Sequence, residues 1–259
     1  MRFSEKFSNL LMALLILVTA NIACVEKPID PSDPSQNFAY ARAPYDDEMY
    51  EVAITRLGEF KSRFPYSKNA PDAEIMIAHS HFKLSQYAEA AAAYEQFVKL
   101  HPRHAEADLA QYRIGESYWA EAPEEIDREQ EFTLKAIAEW DKLVVAYPTS
   151  KYKADADKFL NTGRRRVADH SEFIAKFYCK REIYHACAYR YIELAEQYPQ
   201  FKDLQKLAFA EAGRAFSELA KGKSKDEQSD SNLYYKSMSS AQLQQKSEDM
   251  LKLSAQITL

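Results

Sequence analysis

Four stretches align without a gap: Tyr50–Ser67 (YEVAITRLGEFKSRFPYS), Tyr87–His104 (YAEAAAAYEQFVKLHPRH), Thr133–Ser150 (TLKAIAEWDKLVVAYPTS) and Tyr184–Phe201 (YHACAYRYIELAEQYPQF). Their fourth place is small: Ala53, Ala90, Ala136 and Cys187. Their eighth is large: Leu57, Tyr94, Trp140 and Tyr191. Phe60, Phe97, Leu143 and Leu194 follow three residues on, and Pro65, Pro102, Pro148 and Pro199 close the stretches. Residues at these intervals share one helix face. The small residue admits a neighbouring helix, the large one fills the space beside it, and the proline ends the helix. A unit repeated in register predicts an α-solenoid, an architecture that serves binding more often than chemistry.

The pattern resembles the second helix of a tetratricopeptide repeat. A first helix should then carry a small residue twelve places upstream and a ring three places beyond it. Ala78 with His81, and Ala175 with Tyr178, satisfy this directly. Gly115 with Tyr118 satisfies it if extra residues separate the helices of the third unit, and Gly213 with Phe216 opens a fifth. The prolines are spaced by 37, 46 and 51 residues, longer than the standard unit of about 34. The expected fold is therefore all-α, a tetratricopeptide-repeat superhelix of about five irregular helix pairs. Only 5 glycines in 259 residues agree with long helices.

The net charge of −5 argues against a nucleic-acid binder. Arg164, Arg165 and Arg166 form the densest basic run, and on a helix they spread around most of the circumference. They read as a solvated run, in preference to a phosphate site. The acidic Glu124, Glu125 and Asp127 read likewise. No phosphate loop, nucleophile elbow or Cys-x-x-Cys pair is present. His79 and His81 point to different sides of a helix, and no four ligands are spaced for a metal. No cofactor, metal or enzymatic activity is expected.

The N-terminus has a basic start (Arg2, Lys6), a short apolar run over 10–18 and Ala23 before Cys24. This reads as a secretory signal over 1–23. A cysteine here resembles the bacterial lipoprotein signal, in which it is lipidated and becomes the new N-terminus. Asn21 stands where such signals usually carry an aliphatic residue. The alternative is ordinary secretion with a spare cysteine. A tether over 24–38 follows, with Pro28, Pro31 and Pro34 among polar residues. Val25 is not the aspartate that typically retains a lipoprotein at the inner membrane, which favours the periplasmic face of the outer membrane. At the other end, 222–259 reads as a polar loop followed by a helix capping the last repeat. Cys179 and Cys187 both point into the fourth helix pair. An oxidising compartment would permit a disulfide; two small buried thiols are the other reading.

The combined pattern resembles the BamD (ComL) family, tetratricopeptide lipoproteins of the BAM complex that inserts β-barrels into the outer membrane. The most specific stretch runs from Asp127 to Ala156, with Ala136-Ile137-Ala138-Glu139-Trp140 and Tyr147-Pro148-Thr149-Ser150, followed by a long helix to Lys180. The resemblance implies a non-enzymatic scaffold. It implies that repeats over 39–104 face unfolded outer-membrane proteins and that those over 105–221 hold the periplasmic domains of the barrel subunit, BamA, alongside the other BAM lipoproteins. It also implies that Arg190 meets an acidic residue of BamA. The rival readings are a periplasmic repeat protein coordinating cell-wall synthesis or division, and a cell-wall hydrolase, for which too little chain remains after the repeats.

Overall fold

A computed structural model describes residues 29–222 and 237–259. The expected signal, Cys24 and most of the polar stretch after Gly222 lie outside these residues. Ten helices occur among the described residues, in the order α1 (Pro34–Asp46), α2 (Tyr50–Arg63), α3 (Ala70–Lys83), α4 (Tyr87–Leu100), α5 (Ala107–Glu121), α6 (Glu131–Ala146), α7 (Lys153–Lys180), α8 (Tyr184–Gln197), α9 (Lys202–Ala220) and α10 (Ser240–Gln256). Each packs on the next in sequence. The architecture is an all-α tetratricopeptide-like solenoid of five helix pairs.

The repeat register predicts the core. Ala53, Leu57, Phe60, Ala90, Tyr94, Phe97, Ala136, Trp140, Leu143, Cys187, Tyr191 and Leu194 are all at most 3% exposed. The first-helix partners Ala78, Gly115, Ala175 and Gly213 are buried as well. Gly115 is required by close approach: a Cβ there would lie 2.4 Å from Nε1 of Trp140. That indole donates to the carbonyl of Tyr112 and stacks on Phe159.

Three of the turns inside helix pairs are the same device. Glu48, Ser85 and Glu182 take positive φ of 58°, 58° and 61°. The following N–H reaches back to Pro44, His81 and Tyr178 respectively, closing the preceding helix with a Schellman-type turn. The third pair lacks this turn. Residues 122–130 separate α5 from α6, supplying the extra length expected there. Buried Gln130 holds this insertion through the carbonyls of Glu125 and Arg128.

The final helix is built into the stack. Ser239 forms a capping box with Gln242 at its start. Ser247 and Ser254 donate to the carbonyls of Gly213 and Lys206 on α9, so α10 supplies the second helix of the fifth pair.

Candidate partner-binding surfaces

The long α7 organises the C-terminal half. At 28 residues it is twice the length of α2, α3 or α4, or about 42 Å. Its first half, through Ala156, Phe159 and Leu160, packs in one core cluster with Trp140 and Leu143 of α6. Its second half, through Ala168 and Ala175, packs in another with Cys187, Tyr191 and Leu194 of α8.

The arginine triplet sits at the junction of these halves, and the structure departs from the expectation of a solvated run. Nη2 of Arg164 donates to both carboxylate oxygens of Asp141 on α6 at 2.7 and 2.9 Å. Arg165 pairs with Asp169 and with Asp203 on α9. Arg166 lies 3.9 Å above the ring of Trp119 and donates to the carbonyl of Pro123 in the insertion. Helical geometry sends three adjacent side chains to three different neighbours. A cleft of about 630 Å³ opens beside them, lined by Leu134, Ile137, Leu160, Val167, Gln197 and Tyr198 among others.

Arg190 lies on α8 between the buried Ala188 and Tyr191, yet projects to the surface with its side chain 45% exposed. It is off the apolar stripe, as its spacing predicts. It pairs with Glu193 at 3.0 Å and borders a small depression with Ser171, Ile174 and Gln197. Behind it, Cys179 and Cys187 form a disulfide across the α7–α8 turn, with Cα atoms 5.0 Å apart. The bridge ties the start of α8 to the end of α7.

The first three helix pairs present a different surface. Arg56 lies 4.1 Å from the centre of the Tyr40 ring, and Arg113 4.4 Å from that of Phe82. Lys135 lies over Phe132, and the hydroxyl of Tyr118 donates to Glu95. Burial, followed by that bond to Glu95, pushes the Tyr118 phenol up to about 12. Met49 and Tyr66 are exposed, Tyr66 almost completely. Beneath this surface His79 contacts the Tyr45 hydroxyl at 3.3 Å and the Tyr94 ring at 5.6 Å. Burial, with Arg113 and Lys83 nearby, holds His79 down to about 4. Burial also raises Tyr94 well above the ordinary phenol range, and Glu116 is raised by burial despite Arg113. His79 is therefore a neutral interior histidine, while His101 and His104 pair with Glu74 and Asp72 at the following turn. The sequence alone does not single out the Tyr45–His79–Tyr94 group, because its members lie on three different helices, α1, α3 and α4.

Among the described residues, no group of histidine, cysteine and carboxylate side chains is placed to hold a metal ion. No helix among them is long and apolar enough to cross a membrane.

The chain matches the YfiO family, described as outer membrane lipoprotein, over residues 31–231. It is 27% identical over 203 residues to outer membrane protein assembly factor BamD of Vibrio cholerae, covering 74% of this chain and 84% of that one. Its identity to BamD of Neisseria gonorrhoeae is 28% over 192 residues, covering 71% and 70% of the two chains. With BamD of Rickettsia prowazekii it is 25% over 200 residues, covering 74% and 78%. By the extent of the family match and the helix-pair stack beneath it, the chain belongs to the YfiO family of outer membrane lipoproteins, alongside the BamD assembly factors.

Proposed function

We propose that this chain is a non-enzymatic scaffold for outer-membrane protein assembly, anchored to the periplasmic face of the outer membrane by lipid on Cys24. Its N-terminal repeats receive unfolded barrel proteins. Its C-terminal repeats hold the periplasmic domains of BamA, with Arg190 at that contact. The observation that carries the reading is the position of Arg190, exposed on a helix whose opposite face is core. The repeat does not demand arginine there, since the other units carry Arg56, Ala93 and Glu139. A guanidinium suits recognition of a carboxylate through paired hydrogen bonds. Within 39–104 the cation of Arg56 over the Tyr40 ring and the exposed Met49 and Tyr66 support the substrate assignment, since they offer apolar, aromatic and cationic contacts at the surface. The bridge between Cys179 and Cys187 is proposed to persist in the cell, consistent with an oxidising compartment.

One purification tests these assignments. From solubilised membranes the intact chain should carry a lipid at Cys24, resist thiol labelling at Cys179 and Cys187, and co-purify with BamA. Arg190→Glu should lose most of that BamA at low salt while its melting temperature stays within a few degrees. Undiminished BamA capture by this variant removes Arg190 from the contact; an unlipidated Cys24 or labelled thiols overturn those assignments separately.

A further inference from the structure

The first, second and fourth helix pairs hold equivalent places on either side of the same turn: Tyr45 and Ala53, Phe82 and Ala90, Cys179 and Cys187. In each, the second member is the buried small place of the second helix. The first member stands one helical turn beyond the buried small place of the first helix, Ala41, Ala78 or Ala175. In two pairs that member is a ring. Tyr45 meets Tyr50 edge-on at 6.0 Å, and Phe82 meets Tyr87 edge-on at 5.5 Å. The third pair, with its longer connection, also keeps a ring at this place: Trp119 lies 5.8 Å from Trp140. The fourth pair carries Tyr184 where Tyr50 and Tyr87 stand, but Cys179 brings it no ring. Two small residues thus occupy the space that elsewhere holds a ring and an alanine. A covalent bridge joins them, with Cα atoms 5.0 Å apart. Around it, α7 turns Phe173 and Phe177 to the surface and packs with α8 and α9 through Ala175, Tyr178 and Cys179.

We propose that this helix pair is completed by oxidation: Cys179 and Cys187 take their bridge from a disulfide donor, and the bridge supplies the cohesion that a ring supplies in the other pairs. With both thiols free the place is under-packed, because a cysteine fills far less of the core than the ring it replaces. The disulfide compensates by another route, restricting the unfolded chain. Exposure sets the order of exchange, since Cys179 is only partly buried and Cys187 is 2% exposed. The Cys179 thiol loses its proton, and its thiolate attacks one sulfur of the donor's disulfide. That bond breaks, and the donor's other sulfur leaves as a thiolate. The Cys187 thiolate then attacks Sγ of Cys179, breaking the mixed disulfide and expelling the donor's first sulfur. Two electrons and two protons pass from the chain to the donor, which ends with two thiols. The bridge does this whatever partner the scaffold holds.

The test uses the lipidated mature chain in detergent, unfolded in urea, reduced, and refolded with or without dithiothreitol. Keeping it reduced should lower the melting temperature by about 5 °C or more. Hydrogen exchange at the amides of 177–190 should speed up about tenfold or more, while those of α2 to α4 stay unchanged. A reduced chain that fails to refold supports the proposal equally. Cys179→Ala/Cys187→Ala should match the reduced parent under either condition. Cys179→Phe/Cys187→Ala restores the ring and the small residue of the other pairs, and should melt near the oxidised parent with or without reductant. With oxidised glutathione as donor, the single variant Cys187→Ala should gain an adduct at Cys179, whereas Cys179→Ala should resist one at Cys187. A reduced parent that melts and exchanges like the oxidised one overturns the dependence on oxidation. A phenylalanine variant no more stable than the double alanine overturns the replacement of ring by bridge. A ready adduct at Cys187 overturns the order of exchange.

Discussion

The stack from α2 to α6 and the region around α7 follow different rules. In the first, helices of 14 to 16 residues cover one another, and each repeat place has one environment: small and buried, large and buried, proline at the exit. In the second, a 28-residue helix serves two partners in succession. The arginine triplet fastens the change of partner, joining α7 to α6, to α9 and to the insertion. Regularity therefore satisfies the core, and departure from it leaves surface uncovered. The exposed Phe173 and Phe177 lie on the second half of α7, where the regular rule stops applying.

The strongest way to break this comparison is to remove a large repeat residue from the regular stack. Trp140 is fully buried, stacked on Phe159 at 4.8 Å and bonded to the Tyr112 carbonyl. Trp140→Ala should cost about 3–5 kcal/mol in a reversible denaturant titration. It leaves a cavity and takes the donor from the Tyr112 carbonyl. A variant as stable as the parent would mean that the repeat register does not hold the core.

Next in size is acid sensitivity of the N-terminal stack. His79 has a folded-state value of about 4 against an ordinary 6.5. Below about pH 6.5 the unfolded chain takes up a proton that the folded chain refuses. Stability from this group is thus present at neutral pH, declines as pH falls towards about 4 and is flat below that. A difference of that size corresponds to about 3 kcal/mol as an upper bound. Glu116 acts with the opposite sign, since its raised value means that acid relieves a cost. Tyr45, Tyr94, Glu106 and Arg113 complete the surroundings. Melting curves between pH 7 and 4 should therefore fall more steeply for the parent than for His79→Asn. Parallel curves would place His79 in contact with water.

Much of the regular region was legible in sequence because each place reports one environment. Small and large positions are set by helix geometry and packing, and the small, large and following apolar places of all four second helices proved to be core, while the closing prolines are exposed. The Schellman-type turns left no such mark: Glu48, Ser85 and Glu182 carry the positive φ without glycine, stabilised by hydrogen bonds visible only in three dimensions. The arginine triplet was expected to spread around its helix, as it does; what the sequence did not supply was the partner that each side chain meets, Asp141, Asp203 and Trp119. The long helix to Lys180 was expected only through the family resemblance. The exposure of Phe173 and Phe177 on its second half had no such signal, because it depends on where α6 begins relative to α7. Position along the motif placed Arg190 off the core stripe, but its pairing with Glu193 and its place beside Ile174 needed the fold.

The smallest expected effect compares two glycines within the regular stack. Gly58 lies in the interior of α2, and a Cβ there would meet nothing within 4 Å. Glycine in a helix interior costs about 0.5–1 kcal/mol relative to alanine, through backbone freedom lost on folding. Gly58→Ala should therefore stabilise the protein by that amount, raising the melting temperature by about 2 °C. Gly115 sits at a first-helix small place, where the same Cβ would fall 2.4 Å from the Trp140 indole. There the indole must move from its stack on Phe159, so overpacking outweighs the gain in helix propensity and the sign reverses. Matched thermal melts of the two single variants separate the effects. Destabilisation by Gly58→Ala would show that this surface of α2 is packed rather than open, and the contrast between open and covered helix faces would have to be redrawn at the N-terminal end.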